Sequence, residues 1–272
     1  MKRYRHYTKD RAIVLSCFGS IVEQKRYVQL KKIVADEFKE CEVFLAFSSR
    51  MVLKHLQNSG ENFKNLAQVL ADVDLLGFRF ISVVSVNLFP TDEHEFTKRV
   101  VDGFKQFSLA NINFSDAILT KTKDTNTFLK SLHRQVSKDE CANLYIIHGT
   151  PKLDTLGIDS INYTLKFLEF LDERNFTCSL EGAFSYGDIK SQLKNKIKQK
   201  GFKNIQIVPM LLVSGSHYKK DMFEICLDLK SDFESSLFSS CDDSFNLLGL
   251  KSIQRILLNN TYESLAKMGL KF

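Results

Sequence analysis

Residues 12–20 read AIVLSCFGS and residues 143–151 read NLYIIHGTP. Each is a short apolar, partly β-branched run that reaches a ring-bearing side chain and then a glycine. Neither alternates polar with apolar, so the strands they predict are covered on both faces, as in the parallel sheet of an α/β fold. A second pair reinforces the first: residues 77–96 (GFRFISVVSVNLFPTDEHEF) and residues 201–220 (GFKNIQIVPMLLVSGSHYKK) share a Gly-Phe-basic opening that leads into an apolar run. The first alignment sets Phe18 against His148, and the second sets Glu93 against His217. The offsets are similar, which predicts two copies of one α/β lobe joined between about residue 120 and about residue 140. The expected architecture is two similar Rossmann-like lobes, residues 1–130 and 131–272, each a parallel sheet flanked by helices, with a cleft between them. Amphipathic segments such as VEQKRYVQLKKIVADEFK, RMVLKHLQNS and EHEFTKRVVDGFKQF supply the covering helices.

The bulk numbers narrow the function classes. A chain of 272 residues with 44% hydrophobic and 26% charged residues is an ordinary globular sequence able to bury a large core. Its net charge of +6 is spread along the chain. This favours an anionic small ligand, or no particular partner, over a dedicated nucleic-acid protein. The 23 phenylalanines, with no tryptophan beside them, read as core. The six cysteines form no CxxC pair and read as reduced, buried thiols of a cytoplasmic protein. The basic residues Lys2, Arg3 and Arg5 precede an apolar run too short for a secretion signal, and no apolar segment nears the roughly 20 residues of a membrane span. Dinucleotide, P-loop, zincin and nucleophile-elbow motifs are absent.

Three residues stand out at predicted strand ends in the second half: His148 after NLYII, Glu181 after FTCSL, and His217 beyond IQIVPMLLV. Open parallel sheets bind ligands outside the carboxyl ends of their strands, where side chains from different strands converge. The first-half counterparts, Phe18, Phe47 and Glu93, do not repeat the set. One lobe therefore carries polar chemistry, and the other can offer an apolar wall. Taken singly, a histidine after a strand is more often a satisfied structural group. Together, two imidazoles and a carboxylate suit divalent cobalt, nickel, iron or zinc, and they can exchange protons near neutral pH. His6, His55, His94 and His133 fall in helical or terminal segments and are expected to be solvated.

The ordered set SCFGS, AFSSRMVLKHL, IIHGTP, SLEGAF and PMLLVSGSHYKKDM resembles the anaerobic-type sirohydrochlorin cobaltochelatases, relatives of the class II chelatases and ferrochelatases, over roughly residues 12–255. The resemblance implies two α/β lobes with a tetrapyrrole cleft between them. It implies a metal site on the second lobe formed by His148, Glu181 and His217, which are also the catalytic residues. The implied metal is a substrate, Co2+ first with Ni2+ or Fe2+ as alternatives, and no organic cofactor is expected. The implied partner is an anionic tetrapyrrole, with Ser20, Arg50, Asn87 and Lys219 as candidate substrate contacts; a homo-oligomer is left open, and neither nucleic acid nor a membrane span is expected.

Several positions depart from the family pattern. Asn87 stands where a first-lobe histidine is usual. Ser216 and Lys220 replace an acid and an asparagine around His217, and Leu250 replaces a late acid. Groups surrounding metal ligands tune their basicity and orientation. Two functions follow as expectations: a chelatase inserting Co2+ into sirohydrochlorin or a related ring during anaerobic cobalamin synthesis, or a non-catalytic tetrapyrrole, haem or metal carrier on the same fold.

Overall fold

The structure, a computed structural model, describes residues 5–215, 218–239 and 245–270; of Tyr218 and Lys219 it describes the main chain only. In chain order the first part comprises β1 (Lys9–Cys17), α1 (Gln24–Glu37), β2 (Cys41–Phe47), α2 (Arg50–Asn58), α3 (Leu66–Leu75), β3 (Phe78–Val86), α4 (Asp92–Phe104) and β4 (Asn111–Phe114). The second comprises α5 (Thr122–Val136), β5 (Cys141–Thr150), α6 (Ile158–Leu171), β6 (Asn175–Gly182), α7 (Tyr186–Gln199), β7 (Asn204–Pro209), a π-helical turn (Tyr218–Met222), α8 (Phe223–Leu229) and β8 (Glu234–Leu237). A last helix, α9 (Lys251–Ala266), closes the chain.

The apolar runs form the expected strands. Residues 12–17 of β1 and residues 141–147 of β5 are buried one after another on both faces. Each such aliphatic side chain contributes about 2 kcal/mol by leaving water. The sheets have four strands each, ordered β2-β1-β3-β4 and β6-β5-β7-β8, with all pairings parallel. The outer strands β4 and β8 are short and half exposed, as edge strands tend to be.

The register bears out the two alignments. Setting Phe18 on His148 carries Ala12 onto Ala142, and setting Glu93 on His217 carries Ile81 onto Ile205. Ala12 pairs with Ile81 across β1 and β3, and Ala142 pairs with Ile205 across β5 and β7. The third strand corrects the sequence reading. Cys17 pairs with Phe47, whereas Ile147 pairs with Ser179. The counterpart of Phe47 is therefore Ser179, and Glu181 corresponds to Ser49. The slip arises because β6 continues to Gly182, while the chain after β2 turns at once into α2, whose N-terminus Ser49 caps.

The compact units are Met1–Thr120 with Ile253–Phe272, and Lys121–Ser252, which differ from the expected halves at both ends. Helix α5 sits with the second sheet: His133 Nδ1 lies 3.3 Å from the Tyr145 hydroxyl on β5, and Gln206 of β7 donates to the Val136 carbonyl at 2.8 Å. The C-terminal helix sits with the first. Ser82 of β3 donates to Ser264 Oγ at 2.7 Å, and Asn113 of β4 donates to the same oxygen at 3.0 Å. The Tyr262 ring packs tilted against Phe38 with ring centroids 4.5 Å apart. No helix among the described residues is long and apolar enough to cross a membrane.

Candidate active site

His148 and Glu181 lie on adjacent strands near their carboxyl ends, where Gly149 pairs with Glu181 and Thr150 with Gly182. Both glycines have positive φ, +85° and +74°. A Cβ at Gly149 would collide with the Glu181 carbonyl oxygen, and one at Gly182 with that of Thr150. Only glycine allows the two chains to approach so closely in this conformation. The strands are thus drawn together where their functional side chains emerge.

Below Glu181 the turn of residues 181–185 wraps over one buried hydroxyl. Ser179 Oγ lies 2.9 Å from the Glu181 carbonyl oxygen and 2.8 Å from that of Ala183, and the Ser179 amide donates to the Phe184 carbonyl at 3.0 Å. Phe184 takes a left-handed φ of +57°, which costs a non-glycine residue energy, and its ring projects into solvent, 63% exposed. Ser185 then caps α7 by accepting from the Asp188 amide at 3.3 Å.

This framework brings His148 Nδ1 within 3.4 Å of Glu181 Oε1, with the side chains 45% and 51% exposed. His148 Nδ1 lies equally near the Gly149 carbonyl oxygen. A pair this open adds little to stability. It leaves nitrogen and oxygen donors side by side, accessible to a cation or a proton. Among the described residues no group of three or more His, Cys, Asp or Glu side chains could hold a metal ion together. His217 and Ser216, and the Lys219 side chain, lie outside the described residues.

A cavity of about 420 Å³ opens beside the pair, lined among others by His148, Glu181, Tyr186, Lys190, Asp221 and Glu224. The Tyr186 hydroxyl donates to Asp228 Oδ2 at 2.6 Å, and Lys194 Nζ lies 3.0 Å from the same oxygen. Burial first, then this bond, holds the Tyr186 phenol protonated; the same bond and then Lys194 hold Asp228 below the usual carboxylate range. The acids of this wall escaped the sequence reading, although Asp221, Glu224 and Asp228 recur at helical spacing that places them on one face.

The first-unit candidates are distributed as follows. Ser20 is buried, and its Oγ accepts from the amides of Val22 at 3.2 Å and Glu23 at 3.1 Å. Arg50 is exposed at the first position of α2. Asn87 follows β3 and donates from Nδ2 to Ser85 Oγ at 3.1 Å. Phe18 is 45% exposed. Two of the histidines expected to be solvated are not: His94 is buried against Phe114, ring centroids 4.8 Å apart, and His133 sits between Tyr145, Asn175 and Asp172. Each lies on the sheet-facing side of its helix, a position that pattern alone assigned to solvent. The described cysteines, Cys17, Cys41, Cys141, Cys178 and Cys226, are free and buried.

The chain is similar to known proteins in sequence and in fold. The cobalt chelatase (CbiK) family model matches residues 11–259. The sirohydrochlorin cobaltochelatase of Salmonella typhimurium is 20% identical over 220 residues, which is 78% of this chain and 80% of that protein. Two solved structures from Bacillus subtilis share the fold. SirB with Fe3+ superposes with a TM-score of 0.70 at 16% identity over 96% of this chain and 97% of the other. The sirohydrochlorin chelatase SirB from subspecies spizizenii in complex with cobalt gives 0.66 at 12% identity over 95% and 96%. The family match spans most of the sequence, and the chain belongs to the cobalt chelatase (CbiK) family of metal-insertion enzymes.

Proposed function

We propose that the chain inserts Co2+ into sirohydrochlorin, as a cytoplasmic step of anaerobic cobalamin synthesis, with Ni2+ or Fe2+ as the alternative metals. The observation that carries this reading is the placement of His148 Nδ1 3.4 Å from Glu181 Oε1 at the carboxyl ends of neighbouring strands. The family membership and the cobaltochelatase relative supply the substrate class.

The chemistry is an exchange in which one divalent cation enters the ring and two pyrrole N–H protons leave it. His148 and Glu181 offer the incoming cation one nitrogen and one oxygen donor, a mixed set suited to cobalt, nickel or iron. His217 is the third ligand that the resemblance implies. Loose coordination suits the task, because the metal must pass on to the ring. Glu181 or His148 can then accept a departing proton, since both remain solvent-accessible. The acid-rich cavity beside them raises the local concentration of cations. Basic side chains such as Arg50 and Lys219 are candidate partners for the carboxylates of the ring.

The test is an absorbance assay with sirohydrochlorin and Co2+, run against His148→Ala. A wild-type rate well above that of the variant supports insertion. Equal rates refute it, and tight ring or haem binding without turnover favours a carrier, the reading to which the departures at Asn87, Ser216, Lys220 and Leu250 lend weight.

A further inference from the structure

The carboxyl end of β3 in the first unit holds a buried polar chain that the proposed chemistry does not use. His94 on α4 is 7% exposed, and its Nδ1 lies 2.8 Å from Ser85 Oγ. Ser85 is fully buried, and its Oγ accepts from Asn87 Nδ2 at 3.1 Å. The Ser85 amide donates to Ser115 Oγ at 2.9 Å, and Ser115 donates on to the Asp116 carbonyl at 3.0 Å. The Asn87 main chain is fixed as well, because its carbonyl accepts from the Ile118 amide at 2.9 Å.

The burial of His94 and the donation from Asn87 favour one direction along this chain. Ser85 Oγ has one hydrogen. With Asn87 Nδ2 donating into Oγ, that hydrogen is available to His94 Nδ1, the unprotonated nitrogen of an Nε2–H imidazole. Burial pushes the His94 pKa down, which keeps the ring neutral at pH 7. The Asn87 amide is thereby held with Nδ2 turned toward Ser85 and Oδ1 on its other side. Asn87 stands just beyond the end of its strand, where parallel sheets present ligand contacts.

We propose that His94 and Ser85 are positioning residues that hold Asn87 Oδ1 as a fixed acceptor for a ligand N–H, so that this end of the first sheet prefers a free-base macrocycle to its metal complex. The proposal rests on the tetrapyrrole reading for the identity of the ligand. A free-base ring carries pyrrole N–H groups, whereas the metal complex has lost those two protons. A fixed acceptor therefore binds substrate better than product and favours product release.

The experiment is an absorbance titration of the whole protein with sirohydrochlorin and, separately, with its cobalt complex. Asn87→Ala, Ser85→Ala and His94→Leu are each expected to weaken sirohydrochlorin binding about 3- to 10-fold, the value of one hydrogen bond, and to change binding of the cobalt complex less than about 2-fold. His94→Gln, whose carbonyl can accept from Ser85, is expected to restore much of the preference. Equal weakening toward both rings, or none toward either, overturns the proposal. Nitrogen-15 NMR of His94 tests the chain without any ring: an Nε2–H tautomer is expected, and an Nδ1–H tautomer would mean the reverse order of donors and would sink the idea. A wild-type protein that binds neither ring removes the tetrapyrrole reading and the ligand assignment with it, while the tautomer still decides the hydrogen-bond order.

Discussion

At the scale of single residues, the chemistry depends on a few side chains whose orientation is set by backbone that only glycine or a buried hydroxyl permits. Glu181→Gln keeps the shape of the side chain and removes the charge and the base. Its insertion rate is expected to fall about 100-fold or more, with cobalt binding weakened in parallel; both are read from the visible bands of Co2+ and the absorbance assay. Ser179→Ala leaves the Glu181 and Ala183 carbonyls without their shared donor. The expected loss is about 1–3 kcal/mol in denaturant unfolding, accompanied by a lower insertion rate because Glu181 is no longer held. An unchanged rate in a destabilised Ser179→Ala protein would separate the turn from the chemistry. The sequence disclosed His148 and Glu181 because a polar side chain closing an apolar strand breaks the pattern. It gave no sign of Ser179, because a serine inside a strand is unremarkable until its neighbours are known.

At the scale of elements, His94 and His133 tie helices to strands, and His94 and Asp172 make stability depend on pH in predictable directions. Burial lowers the His94 pKa, the nearby Glu95 and Asp116 oppose that shift, and Lys98 adds to it. The unfolded chain therefore takes up a proton more readily than the folded one. Stability is expected to fall as pH drops below about 6.5, and His94→Gln should flatten that part of the profile. At the start of β6 the sign is the same, in a more acidic window. The Arg174 guanidinium, bonded to Asp172 Oδ2 at 2.7 Å, holds the Asp172 carboxyl down at about 2, against an ordinary 3.8. This contribution is present above pH 3.8 and is lost as pH falls toward 2. Asp172→Asn should remove it, as followed by thermal unfolding at stepped pH. Pattern located helix α4 but not the inward turn of His94 or of His133, since a histidine fits either face and only a partner on the sheet decides between them.

At the scale of the whole molecule, the chain repeats one topology and then returns to its first unit. Helix α9 lies far from the first sheet in sequence, yet Ser264, Asn260 and Tyr262 bond to or pack against β3, β4, the loop after β4, and the end of α1. Removing residues 253–270 would take away the buried side chains of Ile253, Ile256, Leu257 and Leu265 and uncover what they pack against. Such a truncation is expected to lose the first unit's protection in hydrogen exchange while β5, β6 and β7 keep theirs. The milder Ser264→Ala should cost about 1–2 kcal/mol, because it leaves Ser82 and Asn113 without their common partner. Equal loss of protection in both units would mean that they do not fold as separable parts.

The sequence by itself determined β1, β2, β3, β5, β6 and β7, the repetition of the lobe and the two central registers, though not the short edge strands β4 and β8, because apolar continuity and glycine positions are local properties that fix local geometry. It also singled out His148 and Glu181, since charge at the end of a buried strand is costly and therefore conspicuous. The tertiary structure alone decided which residue of β6 faces which of β5, which unit owns the last helix, and which hydroxyls and histidines turn inward. These depend on partners distant in the chain, and the free energy of a buried polar group is set by the partner it meets rather than by its neighbours in sequence.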